Sequence, residues 1–264
     1  MEKIETTIFV DWENLLTDLR AIQEKDERLK EPNFNFNNPD QLLALIRSFL
    51  EPEEELKRIY FYVSEPFTEV EPRIKGNKNE ELEEYKEKNP KDYEERVNKS
   101  GIIQSFNHVI AQQNQVKLRV GRVKFKFVYK FEDKEVYNGL EAKIFIPYLK
   151  LRQKQVDALL AHDITKLYCT KQGGCILLFS RDTDFVPVLE VAWEKGFGVF
   201  IANIQEGPNL VPPDLRKSCD VRERSVAEIL AKLPKVATTS NTPKKENSNE
   251  PFNNPFKDQL FKKN

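Results

Sequence analysis

Residues 175–185, CILLFSRDTDF, decide the fold class: six uncharged residues, Cys175 to Ser180, give way at once to Arg181-Asp182-Thr183-Asp184. A continuous apolar run of this length reads as a strand covered on both faces, the condition of a central strand in a parallel sheet. The residues that follow, Phe185 to Lys195, read as a helix closed by Gly196, with Pro187 suited to its first turn. A strand that hands over directly to a helix is half of a βαβ unit. The same handover recurs outward in both directions. IETTIFVD (4–11) ends in a β-branched and aromatic run, and a helix continues through NLLTDLRAIQ. DQLLALIRSFL (40–50) sets Leu42, Leu43, Ile46, Phe49 and Leu50 on a helical stripe with Asp40 as its N-cap, and KRIYFYVS (57–64) is a second strand. Downstream, FGVFIAN (197–203) gives another strand and residues 225–233 a last helix. Strands alternating with helices predict an α/β fold around a mainly parallel sheet.

Two segments depart from that alternation, together forming an elaboration over residues 65–150. From Glu65 to Ser100 the chain is charged and poor in branched apolar residues, the composition of a solvated helix or flap. In KLRVGRVKFKFVYKF (117–131), Val123, Phe125, Phe127, Tyr129 and Phe131 alternate with Arg122, Lys124, Lys126 and Lys130, Val128 alone interrupting the basic row. A period of two argues a strand with one apolar and one basic face; Gly121, where the phase slips, suggests a bulge. Glu132-Asp133-Lys134 then turns it into a hairpin with the strand that follows. Beyond residue 233 the sequence is polar, rich in Asn, Lys and Pro, and nearly free of aliphatic side chains, so residues 234–264 are expected to be a disordered tail outside the 1–233 domain.

Acids punctuate the ends of the apolar runs. Asp11 follows the first strand, Asp182 and Asp184 follow CILLFS, and Asp157 lies in the first turn of a helix whose stripe is Val156, Leu159, Leu160, Ile164 and Leu167. In open α/β sheets ligands bind outside the carboxyl ends of the strands, so acids there converge although far apart in sequence. Clustered carboxylates repel one another unless a cation sits among them, and an oxygen-only set suits Mg²⁺ or Mn²⁺. The net charge of -1 hides an uneven distribution: residues 115–154 carry eleven Lys and Arg against four Asp and Glu, whereas residues 51–100 carry fifteen acids against ten bases. A basic stripe beside an acidic metal site is the balance of a protein that holds a phosphate backbone and cuts it, with Arg122, Lys124, Lys126 and Arg181 holding phosphates.

Other chemistries fit less well. Cys169, Cys175 and Cys219 form no CxxC and only His108 and His162 could join them, which disfavours a disulfide framework or structural zinc. His162, beside Asp163 on an apolar helix, reads as a structural histidine. Asp11-Trp12-Glu13 is D-x-E, not the D-x-D of a HAD-type phosphatase. The N-terminus lacks an apolar signal core and no run approaches eighteen apolar residues, so the expectation is a cytoplasmic protein without a membrane partner.

VDWEN, KQVD and FSRDTDF resemble, in order and spacing, the D-x-x-N, K-G-V-D and S-G-D-S-D-F motifs of NYN domains, the LabA-like branch of the PIN-like nucleases. The likeness covers residues 4–232, and LRKSCD, with Leu215 and Asp220, is similar to the family's closing L-x-x-x-x-D element. It implies a PIN-like, Rossmann-like three-layer sandwich. It also implies a Mg²⁺- or Mn²⁺-dependent ribonuclease, most simply an endonuclease, with RNA preferred to DNA. Asp11, Asp157, Asp182 and Asp184 would be the catalytic metal-binding acids, supported by Asn14, Lys154 and Ser180. Two glycines of the pattern are replaced, by Gln155 and Arg181, and a side chain at 181 would border the phosphate path. A catalytically silent domain that binds RNA as a scaffold is the alternative. Homo-oligomers are left open, as is a peptide-motif partner for the tail through Glu250-Pro251-Phe252 and Asn254-Pro255-Phe256.

Overall fold

The computed structural model describes residues 2–30, 33–67, 78–137 and 140–233, with the backbone alone at 78–79, 124–127, 131–137, 140–144 and 151–154. Seven strands form one sheet: β1 (Ile4–Asp11), β2 (Glu54–Ser64), β3 (Val116–Tyr137), β4 (Leu140–Lys154), β5 (Gly174–Phe179), β6 (Phe197–Ile204) and β7 (Asp220–Arg224). Their order is β4-β3-β2-β1-β5-β6-β7, and every neighbouring pair is parallel except β3 with β4. The helices are α1 (Trp12–Lys25), α2 (Pro39–Arg47), α3 (Lys78–Lys88), α4 (Pro90–Gln112), α5 (Val156–Thr170), α6 (Val186–Glu194), α7 (Pro213–Ser218) and α8 (Val226–Lys232).

The strand period sorts the core into two layers. On β1, Ile8 and Val10 join Leu16 of α1, Leu43 of α2, Phe106 of α4 and Ile229 of α8 in one cluster. Phe9, between them, joins Leu160 and Ile164 of α5, Leu189 of α6 and Leu215 of α7 in the other. Helices therefore cover both faces of the sheet, which is the three-layer α/β sandwich of a PIN-like fold. At β7, buried Arg222 donates to Glu54 at 2.7 and 2.9 Å and lies 4.1 Å over the Phe200 ring, fastening that strand to the start of β2.

Several local expectations change. Helix α2 begins earlier than its apolar stripe suggested: Asn38 is the N-cap, accepting from the backbone N–H of Asp40 and Gln41, because Pro39 takes the first helical position without an N–H to satisfy. Glu132-Asp133-Lys134 does not turn. These residues pair with Ile144, Lys143 and Ala142, and the hairpin runs on to Tyr137 and Leu140. Gly121 is an exchange of partners, where β3 leaves β2 at Ser64 and joins β4 at Lys154 in the next residue. The charged segment is more than a solvated face, since Leu82 and Tyr85 of α3 bury against Leu149 of β4. Residues 68–77 and the tail 234–264 lie outside the described residues.

His162 is exposed; its neighbour Asp163 is the structural group. The buried Asp163 carboxylate accepts from Tyr62 Oη at 2.9 Å and from Arg119 Nε and Nη2 at 2.6 and 2.9 Å, tying α5 to β2 and β3. Breaking a buried pair from one side leaves the other charge unpaired, which typically costs about 3–5 kcal/mol. Urea denaturation should therefore show Asp163→Ala destabilised by about that amount, while His162→Ala stays within about 0.5 kcal/mol of the parent.

Candidate active site

Asp11 is the last residue of β1 and the N-cap of α1, and this double position fixes it. Its side chain accepts from the Asn14 backbone N–H at 3.4 Å and the Asn14 amide at 2.5 Å, and from Ser180 Oγ of the next strand at 3.4 Å. Ser180 is buried, and its Oγ also accepts from the Asp182 N–H at 3.2 Å. Sequence-distant residues of the first and third motifs thus meet at adjacent strand ends. Burial raises the Asp11 carboxyl to about 6, against the hydrogen bonds from Asn14, with Asp157 adding repulsion. Glu13, which the motifs do not single out, is raised for the same reasons, first burial and then the Asp11 charge.

The remaining acids come from the starts of helical turns. Asp182 caps the single 3₁₀ turn Thr183–Phe185 that precedes α6, accepting from the Asp184 N–H at 2.9 Å. Asp157 stands exposed in the first turn of α5. Its carboxyl is raised by partial burial and by the charges of Asp182 and Asp184. Asp157 thus stands between the others, repelling the Asp11 charge and repelled by the charges of Asp182 and Asp184. Among the described residues none of them has a Lys or Arg at ion-pair distance. Also among the described residues, no three His, Cys, Asp or Glu side chains stand close enough together to hold one ion. The donor chemistry, oxygen-only and uncompensated, fits Mg²⁺ or Mn²⁺, and the carboxylates would have to close up to ligate it.

The two departures from the glycine pattern are now physical. Gln155 has φ 74°, so the left-handed backbone that favours glycine is retained with a side chain in place. Arg181 turns inward: its guanidinium pairs with Asp18 of α1 and donates to Asn203 Oδ1 of β6 at 2.8 Å. The guanidinium is thus committed to anchoring the β5 end rather than lying along a phosphate path. Neither Asp18, midway along α1, nor Asn203, near the end of β6, belongs to a sequence motif. Lys154, the third supporting residue, is the last residue of β4 and is paired in register with Arg122; Arg122 is exposed. Leu215 is buried in the α5–α6 layer, and Asp220 opens β7. His108 is exposed, 2.8 Å from Gln112, and takes no part.

No curated protein and no solved structure matches the chain. A family model does: the NYN domain, across residues 5–225. That span contains all four acids, both glycine replacements and the strand order that brings them together. The chain belongs to the NYN domain family, a family of PIN-like ribonucleases.

Proposed function

We propose that residues 1–233 form a Mg²⁺- or Mn²⁺-dependent ribonuclease of the LabA-like branch, cutting RNA internally. The observation that carries this reading is the set of four acids at the strand ends and the helical turns beside them, without a cationic partner among the described residues, with Asp157 repelling Asp11 and repelled by Asp182 and Asp184. Asp11, Asp157, Asp182 and Asp184 would hold the ion or ions. When bound, it would supply the charge that lowers the pKa of an attacking water and stabilises the leaving oxygen. The chain's own work is positional. Asn14 and Ser180 aim the Asp11 oxygens, Asp182 is fixed by its cap, and the Asp163 clamp holds the helix that carries Asp157. Arg122, Lys124 and Lys126 hold phosphates, and Lys154 is a supporting residue.

A silent, RNA-binding scaffold is the second reading, favoured by the absence of three ligating side chains within reach of one point among the described residues. Cleavage assays with single-stranded and duplex RNA and DNA under Mg²⁺, Mn²⁺ and EDTA separate the two. The nuclease reading expects metal-dependent RNA cleavage that Asp182→Asn lowers more than about a hundredfold, roughly 3 kcal/mol of transition-state stabilisation. Binding with no metal-dependent cleavage under any of these conditions would leave the scaffold.

Asp11 supplies a prediction independent of activity. Because its folded value of about 6 lies above the ordinary 3.8, the folded chain holds that proton more tightly than the unfolded chain does. The stability it lends is full below pH 3.8 and is lost as pH rises through about 6. In EDTA, Asp11→Asn should melt above the parent at neutral pH, by up to roughly 2–3 kcal/mol, with the difference vanishing toward pH 4. Added Mg²⁺ or Mn²⁺ should raise the melting point of the parent and not that of the variant.

A further inference from the structure

The antiparallel register of β3 and β4 places cations opposite cations. Arg122 faces Lys154, Lys124 faces Arg152, and Lys126 faces Lys150. Directly paired residues share a face of the sheet, so all six occupy one side of the hairpin. Three successive pairs are spaced by two residues of rise, a ladder roughly 14 Å long and about 5 Å across.

The alternate pairs show which way that side faces. Val123 opposite Gln153, Phe125 opposite Leu151 and Phe127 opposite Leu149 make the other face apolar. Val123 and Leu149 are buried, Leu149 against Leu82 and Tyr85 of α3. The basic face therefore points away from the helical cover, and its two described members, Arg122 and Lys150, are exposed. Among the described residues neither has an acid at ion-pair distance. No acid occupies this face of β3 or β4 until Glu132, beyond two further pairs. Like charges directly opposite on a sheet are destabilising, and three such pairs in succession suit a surface that an anionic chain lies across.

We propose that this outer face is a track for the sugar–phosphate backbone of single-stranded nucleic acid, with Lys150, Arg152 and Lys154 of β4 matching Arg122, Lys124 and Lys126 of β3. The track ends at the acids: Lys154 is followed by Gln155, Val156 and Asp157. That endpoint rests on the nuclease reading; the binding does not. A single strand is favoured because the face offers cations and then Tyr148, half-buried with Lys130 Nζ 5.0 Å from its ring centroid, the combination of charge and aromatic surface that follows a strand without reading its sequence.

The test is fluorescence anisotropy of a short labelled single-stranded RNA against the full chain carrying Asp182→Asn, in EDTA, over a salt series. Neither cleavage nor a divalent cation then enters the measurement. Each lost contact should reduce the slope of log K against log salt by about 0.7, so Lys150→Gln alone removes about 0.7, and Arg122→Gln, Lys126→Gln and Lys150→Gln together about 2.1. Lys126→Arg with Lys150→Arg should keep the parent slope, as should Lys166→Gln with Lys195→Gln on the exposed surface elsewhere, and melting points report that each variant is folded. An unchanged slope in the folded triple variant, no salt-dependent binding by the parent, or tighter binding of a duplex of the same sequence overturns the proposal. Cleavage by the otherwise unaltered chain fails or succeeds separately, so a track without a nuclease and a nuclease without a track give different results.

Discussion

A carboxylate buried where a central strand ends is costly, and much of the surrounding architecture answers that cost. Asp11 sits there because the apolar strand β1 delivers it to the boundary where the sheet stops and α1 begins. Desolvation disfavours its charge, and the partners that offset this are local: the Asn14 amide and backbone, and a hydroxyl from β5. Those contacts lock the start of α1 to the end of β5. The same Ser180 then accepts from the Asp182 N–H, so one buried charge sets the path of the loop that carries the next two acids. Mutual repulsion is the counterpart of this order. Burial and like charge both raise the Asp11 and Asp157 carboxyls.

The glycine replacements show two ways of accommodating a side chain beside such a site. At Gln155 the left-handed turn into α5 is kept and the local strain is tolerated, since the turn is needed to bring Asp157 round after the long strand β4. At Arg181 the added bulk is drawn down between α1 and β6, where Asp18 and Asn203 receive it. Asn203 in turn donates to Glu223 of β7 at 3.2 Å, so the anchor reaches the far side of the sheet. A position that a smaller residue leaves empty has become a cross-brace among three elements.

What could be read in the sequence followed from local patterns with strong periods. The apolar runs at 4–11, 57–64 and 175–180 mark their strands, and Asp11 and Asp182 stand at or just past the ends of the adjacent strands β1 and β5, because both signals depend on near neighbours in the chain. The start of α2 was misplaced by two residues, since an apolar stripe marks a helix's buried face and not its first N–H groups. The hairpin's length escaped because Glu132-Asp133-Lys134 has turn composition yet sits within a hydrogen-bonded ladder whose partner strand decides the matter. Arg181 could not be oriented from its own segment: Asp18 and Asn203 lie 163 and 22 residues away. Which cations of β4 stand opposite those of β3 likewise depends on the strand register and not on either segment alone.

An open sheet has two free edges, and here they are β4 and β7. A long, uniform edge strand would offer its unpaired backbone groups to any other extended chain, the usual route to strand addition and aggregation. β4 carries Pro147, which has no N–H to offer, and Lys143, Lys150, Arg152 and Lys154 along its length. β7 has only five residues, DVRER, four of them charged. Both margins of the molecule thus resist templating a neighbour, and on the β4 side three of the cations that discourage strand addition, Lys150, Arg152 and Lys154, are the same ones that pair in register with the cations of β3.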